Sequence, residues 1–166
     1  MSSTKPVKVV LGAGFVGGNP GVTGAEADEY ISLFRKHGHV EIDSAATYPI
    51  DNFGASEKYL GQHGDLGWAQ VSTKLSAMGE RANSLEKLRP GIADSQKNLN
   101  GVDIDIYYFH LPEVVTPMEE QAAAMDEAFR AGKFKRFGIS NFAPEQVEEL
   151  MEIAERKGEL RRIQCC

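Results

Sequence analysis

Short apolar runs rich in β-branched residues alternate along this chain with segments whose apolar residues recur every three or four positions. The runs predict six β-strands and the segments between them predict helices. Strands that alternate with helices indicate an α/β fold with a parallel sheet and right-handed crossovers. The predicted strands are Val7–Leu11, Val40–Ala45, Ala69–Leu75, Ile104–His110, Phe134–Ile139 and Leu160–Cys165.

Capping residues predict where three of the helices begin. Thr23 and Glu26 have the spacing of a capping box, and so do Thr116 and Glu119, where Pro117 suits the first helical position. Pro144 begins a third helix. Glycines at 38, 132 and 158 follow these helices and predict their ends. Weaker patterns predict helices over Gly54–Leu60 and Pro90–Leu99.

Each of these three helices has one predicted core face. The inward residues are Ala27, Tyr30, Ile31 and Phe34 in the first, Met118, Ala122, Met125 and Phe129 in the second, and Val147, Leu150, Met151 and Ala154 in the third. Five strand–helix units and a sixth strand fit two architectures. One is an open doubly wound sheet, and the other is the first part of a (β/α)8 barrel.

The length of the chain bears on both architectures. Residues 1–166 contain no linker or composition shift, so we expect a single domain. A closed (β/α)8 barrel usually needs about 250 residues, which predicts that this chain is a truncated form of that fold. The ending Arg161–Cys166 falls within a predicted strand. We therefore expect either a fragment or a chain that a partner completes, since open strand edges allow self-association.

Composition narrows the function classes. Eighteen Lys and Arg against 24 Asp and Glu give a net charge of −6, which argues against a nucleic-acid binder. No apolar run approaches the length of a membrane-spanning helix, and no secretory leader is evident. The only cysteines, Cys165 and Cys166, are adjacent and make no disulfide framework. These features predict a cytoplasmic protein without a membrane or nucleic-acid partner.

A glycine motif follows the first predicted strand. Gly12, Gly14 and Gly17 have the spacing of a dinucleotide-binding fingerprint, in which a helix N-terminus faces the pyrophosphate. Here turn residues follow, and the helix starts only near Ala25. We favour a glycine-rich loop at the end of a barrel strand, and the dinucleotide-binding domain remains an alternative.

Ionisable residues lie at the carboxyl ends of three consecutive predicted strands. Asp43 lies near the end of the second strand and Tyr48 just beyond it, Lys74 lies at the end of the third, and His110 ends the fourth. Because the carboxyl ends of parallel strands lie on one face, these four side chains are expected to converge, although each alone has an ordinary structural explanation.

The four residues suit proton donation to an oxygen. A lysine ammonium near a tyrosine lowers the phenol's pKa, and an aspartate holds the lysine in place. A neutral histidine can orient a carbonyl oxygen. We find neither an evident nucleophile nor a metal-ligand cluster in the sequence. Carbonyl reduction with a hydride from a cofactor therefore fits best.

Four motifs occur in this order along the chain: Asp43-Ser-Ala-x-x-Tyr48, the strand-end Lys74, Asp105 to His110-Leu-Pro, and Gly138-Ile-Ser-Asn-Phe142. Together they resemble the aldo-keto reductase family, most closely its aflatoxin-aldehyde reductase-like branch. The resemblance implies a (β/α)8 barrel that reduces aldehydes or ketones with NADPH.

The resemblance also implies roles for single residues. Tyr48 would be the proton donor, Lys74 and Asp43 would lower its pKa, and His110 would orient the carbonyl. Asp43, Ser140, Asn141 and Gln164 would contact the cofactor, the last three at the nicotinamide carboxamide.

The chain departs from the family in length. The part of the barrel that supplies strands seven and eight, and the basic residues for the cofactor phosphates, has no counterpart here. The basic cluster Lys133, Lys135 and Arg136 precedes the fifth strand, on the opposite face, and is interpreted as a solvated loop. A catalytically inactive remnant or interaction subunit of the same ancestry is therefore a second hypothesis.

Overall fold

The computed structural model describes residues 7–18, 21–157 and 163–165, in which strands and helices alternate from end to end. The strands are β1 Val10–Gly12, β2 Glu41–Asp43, β3 Gln70–Lys74, β4 Ile104–Phe109, β5 Arg136–Ile139 and β6 Ile163–Cys165. The helices are α1 Gly24–Lys36, α2 Ala55–Gln62, α3 Leu85–Asn98, α4 Met118–Arg130 and α5 Pro144–Lys157. Among the described residues, no helix has the length and apolar character needed to cross a bilayer.

The order of the strands decides between the two architectures. The sheet runs β1-β2-β3-β4-β5-β6, and each neighbouring pair is parallel. A doubly wound sheet reverses its order at a switch point, whereas a barrel adds each strand beside its predecessor. The predicted (β/α)8 type is confirmed, and the open doubly wound alternative is wrong.

The core lies between the sheet and the layer of helices. Phe109 of β4 and Phe137 of β5 meet edge to face, with ring centroids 5.3 Å apart. Helices α2 to α5 each contribute a side chain with no exposed surface, and these are Leu60, Leu88, Met125 and Leu150. Burial of such side chains is what holds each helix against the strands beside it.

The helix starts show one confirmed capping box and one wrong prediction. Thr23 caps α1, with its hydroxyl accepting from the Glu26 N–H and the Glu26 carboxylate accepting from the Thr23 N–H. At α4 the capping residue is Pro117, and no side chain caps the helix. The Thr116 hydroxyl instead donates to the Glu113 carboxylate, 2.9 Å away. That carboxylate also accepts the Thr116 N–H, so Thr116 belongs to the preceding loop.

Helix α3 begins earlier than predicted. It starts at Leu85, so Pro90 lies inside it rather than at its start. A proline there has no N–H for the carbonyl four residues back. Buried Leu88 and Ile92, on either side of it, pack into the core and keep the helix continuous.

Two predicted core residues face solvent. Tyr30 of α1 and Met151 of α5 are both exposed, and the neighbouring Ile153 is buried in place of Met151. Helix α5 begins at Pro144 as predicted, and the predicted stop at Gly158 lies outside the described residues.

Candidate active site

Three adjacent strands place the four predicted ionisable residues, called the tetrad below, at one edge of the sheet. Asp43 is the last residue of β2, Lys74 is the last of β3, and His110 directly follows β4. Tyr48 lies in the loop between β2 and α2. Because β2, β3 and β4 are parallel neighbours, their carboxyl ends meet. The structure therefore brings together all four residues that the sequence predicted.

A buried ion pair forms the inner part of the site. Lys74 Nζ donates to Asp43 Oδ2 at 2.5 Å and to the Ser44 carbonyl oxygen at 2.9 Å. The Lys74 side chain is 7% exposed and that of Asp43 is 28% exposed. Two acceptors from β2 and the residue after it thus hold the ammonium away from bulk water.

Tyr48 and His110 form the outer part. Tyr48 Oη lies 3.5 Å from His110 Nε2, and the two rings meet edge to face with centroids 5.4 Å apart. Lys74 Nζ lies 4.9 Å from the centroid of the Tyr48 ring. On the far side of the imidazole, His110 Nδ1 lies 3.3 Å from Thr47 Oγ1. Thr47 was not predicted, and nothing in its sequence context distinguishes it from other loop threonines.

The ionisation of these two groups follows from their surroundings. Burial raises the pKa of Tyr48, and the negative charge of Asp43 raises it further. That direction is opposite to the lowering expected from the sequence, in which the charge of Lys74 dominates. For His110, burial and then the positive charge of Lys74 lower the pKa, although Asp43 opposes them. Tyr48 is therefore protonated and His110 neutral at neutral pH.

Ser140 and Asn141 lie beside the histidine at the end of β5. The Asn141 side-chain amide donates to the His110 carbonyl oxygen at 2.9 Å and to Ser140 Oγ at 3.0 Å. The Ser140 N–H donates to the Phe109 carbonyl oxygen at 3.0 Å, which continues the ladder between β4 and β5. Gln164 occupies β6 opposite Gly138, and its side chain lies outside the described part of the chain.

The glycine motif does not form a dinucleotide-binding turn. Gly12 ends β1, a turn follows, and α1 begins only at Gly24, so no helix N-terminus directly follows Gly17. The fingerprint requires that helix, and it also belongs to the doubly wound sheet that the strand order excludes. The dinucleotide-binding interpretation of this motif is therefore wrong.

The sequence profile of the Aldo/keto reductase family matches residues 8–164. The chain belongs to this family. An aldo-keto reductase of Pseudocercospora fijiensis is 36% identical over 136 residues, a stretch that covers 77% of this chain and 44% of that protein. The human aflatoxin B1 aldehyde reductase member 2 is 30% identical over 133 residues, which cover 77% of this chain and 36% of that protein.

A solved structure of the family agrees with the fold. The glycerol dehydrogenase of Gluconobacter oxydans matches this aldo/keto reductase chain with a TM-score of 0.74 at 28% identity. The match covers 94% of this chain and 50% of that one. The chain thus spans half or less of the length of each relative named here.

Proposed function

We propose that the chain catalyses NADPH-dependent reduction of aldehydes or ketones to alcohols, with Tyr48 as the proton donor. The observation that carries the proposal is the contact of Tyr48 Oη with His110 Nε2, at 3.5 Å, beside the buried Lys74–Asp43 pair. Family membership supports the reaction class. We propose the cytosol as its compartment, because the two cysteines of residues 1–166, Cys165 and Cys166, are adjacent and make no disulfide framework.

Tyr48 acts as the acid in this proposal. Because its pKa is raised, the phenol keeps its proton at neutral pH until negative charge develops on the substrate oxygen. The phenolate left behind then carries the charge, and Lys74 Nζ, 4.9 Å from the ring centroid, stabilises it. Asp43 holds Lys74 at that place through the 2.5 Å ion pair.

His110 orients the carbonyl in this proposal. A neutral imidazole carries one N–H, and its partner at Nδ1 decides which nitrogen has it. When the Thr47 hydroxyl donates to Nδ1, across 3.3 Å, the proton resides on Nε2. Nε2 is the nitrogen that faces Tyr48 Oη, so it can donate to the same substrate oxygen that Tyr48 protonates.

The end of β5 suits the amide of a nicotinamide. When bound, NADPH supplies the hydride to the carbonyl carbon. The side-chain amide oxygen of Asn141 accepts no hydrogen bond from the described residues, so it can accept an N–H of the nicotinamide amide. The Ser140 hydroxyl can donate to the oxygen of that amide. We assign Ser140 and Asn141 to this cofactor because Asn141 donates directly to the backbone of His110. We assign Asp43 and Gln164 to it on the family resemblance.

The test replaces Tyr48 with Phe and follows aldehyde reduction and NADPH binding separately. Loss of a positioned general acid costs about 10²- to 10⁴-fold in turnover. NADPH affinity, followed by cofactor fluorescence with NADH alongside, should be retained. Tyr59→Phe is the matched control, because the Tyr59 hydroxyl binds Asp28 on α1 rather than any residue of the tetrad. Unchanged turnover in Tyr48→Phe would refute the mechanism.

A specific observation also favours a non-catalytic, self-associating chain. Val10 of β1, and Val7 and Val9 just before it, are exposed, and β1 pairs only with β2 among the described strands. An apolar edge strand is a template for pairing with another chain. Light scattering over a range of concentrations tests this candidate: a rising mass without carbonyl reduction supports it, and a constant monomer mass excludes it.

A further inference from the structure

The glycine loop, residues 13–18 after β1, packs against the segment 48–56, which carries Tyr48. A Cβ atom built on Gly14 would lie 3.1 Å and 3.3 Å from two carbons of the Tyr48 ring. One on Gly18 would lie 3.1 Å from the Pro49 side chain, and one on Gly17 would lie 3.0 Å from that of Ala55. Three glycines of one loop therefore make room for one neighbouring segment.

Hydrogen bonds hold the same two segments together. The buried Ser56 hydroxyl donates to the Ala13 carbonyl oxygen in the glycine loop at 2.8 Å, and the Ser56 N–H donates to the Tyr48 carbonyl oxygen at 3.2 Å. Because the Ser56 proton is used in this way, the Ser44 hydroxyl is the donor across the 2.7 Å to Ser56 Oγ. Ser44 in turn offers its carbonyl oxygen to Lys74. The loop is thus tied to both Tyr48 and Lys74.

We infer that Gly14 is a positioning residue for Tyr48, and that its bare Cα forms the surface against which the phenol ring rests. The contact of Tyr48 Oη with His110 Nε2 is 3.5 Å long, at the outer limit of a hydrogen bond. A displacement of the ring away from His110 by a few tenths of an ångström would break it. The inference rests on the proposed role of Tyr48 in catalysis, but the contact itself can be tested without any reaction.

Gly14→Ala and Gly12→Ala form a matched pair for the test. The two glycines lie two residues apart, each substitution adds one methyl group, and neither glycine has a positive φ. A Cβ on Gly12 meets no atom within 4 Å, whereas one on Gly14 meets the Tyr48 ring. With 3-fluorotyrosine incorporated, the Tyr48 resonance is identified by its loss in Tyr48→Phe. We expect Gly14→Ala to shift that resonance and Gly12→Ala to leave it in place.

The kinetic readout separates positioning from binding. Misplacing the proton donor should lower kcat by about tenfold in Gly14→Ala while KM for NADPH stays constant, and Gly12→Ala should match the unsubstituted chain. An unshifted Tyr48 resonance in Gly14→Ala, with or without a loss of turnover, would overturn the inference. A shifted resonance in a chain that shows no carbonyl reduction even when unsubstituted would support the inference and refute the proposed function.

A second measurement, in chains with and without the Tyr48 ring, tests the inference even if Gly14→Ala alone does not fold. If the added methyl acts through the ring, Gly14→Ala should lower Tm in the unsubstituted chain but not in Tyr48→Ala, where the ring is absent. Folding of the double variant when Gly14→Ala alone fails to fold would also support the inference. An equal loss of Tm in both backgrounds would contradict it.

Discussion

Replacing Lys74 with Met removes the cation of the site while keeping most of its aliphatic stem. Asp43 then loses the partner that lies 2.5 Å from its carboxylate, and the Ser44 carbonyl oxygen loses its 2.9 Å donor. The free energy of unfolding should fall because a largely dehydrated carboxylate is left without its counter-charge.

The size of the loss follows from the exposure of the two partners. Removing one member of a fully buried pair costs about 3–5 kcal/mol, whereas an exposed pair contributes about 0–1 kcal/mol. Lys74 is almost completely buried, but Asp43 keeps about a quarter of its surface in water, which offsets part of the cost. We expect the free energy of unfolding to fall by about 2 kcal/mol in Lys74→Met, which for a chain of this size lowers Tm by about 4–8 °C.

A double-mutant cycle isolates the interaction between the two groups. The cycle combines Lys74→Met with Asp43→Asn and measures urea unfolding by circular dichroism. Arg89→Met with Glu127→Gln is the control, since that pair has a 2.6 Å contact but side chains that are 64% and 51% exposed. The coupling energy should be about 2 kcal/mol at the site and below about 1 kcal/mol at the control pair. Equal coupling energies would refute the argument from burial.

Two further predictions concern pH and packing. Because burial and Lys74 lower the pKa of His110, the acid limb of the pH–rate profile should lie below pH 6.5, and a limb centred above that value would contradict the assignment. As pH falls, the unfolded chain protonates His110 before the folded chain does, because the pKa is lower in the folded chain. The stability that the partly buried neutral imidazole contributes is therefore lost as pH falls below about 6.5. Gly138→Ala should cost about 1–3 kcal/mol in urea unfolding, because its Cβ would lie 2.2 Å from the Tyr108 ring. Gly67→Ala, where a Cβ meets nothing within 4 Å, should have little effect, and equal losses would contradict this reason.

The sheet and the tetrad were predictable because both depend on local patterns. A strand that ends in an ionisable residue places that residue at the carboxyl edge whatever the order of the strands. Hence Asp43, Lys74 and His110 were found without knowing which strands pair. The strand order itself could not be read from hydrophobic periodicity, because doubly wound sheets and barrels share the same alternation of strand and helix.

Two of the wrong predictions, those for Thr116 and for the pKa of Tyr48, come from neighbouring groups that the sequence pattern does not take into account. Thr116 has an acidic residue three positions away on each side, and the motif considered only Glu119, whereas the hydroxyl donates to Glu113. The pKa of Tyr48 depends on burial and on the charge of Asp43, neither of which its spacing from Lys74 reveals. Ser44 and Ser56 could not be singled out, since a buried serine and a surface serine look alike in sequence.

The sequential order of the strands has a consequence for how the site assembles during synthesis. Because each later residue binds one that precedes it, the contacts of the site can form in the order in which the chain is synthesised. Lys74 reaches Asp43, which lies 31 positions earlier, His110 then reaches Tyr48 across 62 positions, and Asn141 finally binds the His110 backbone. Each strand pairs with the one that precedes it in the chain, so these three contacts need no strand beyond the β4–β5 pair.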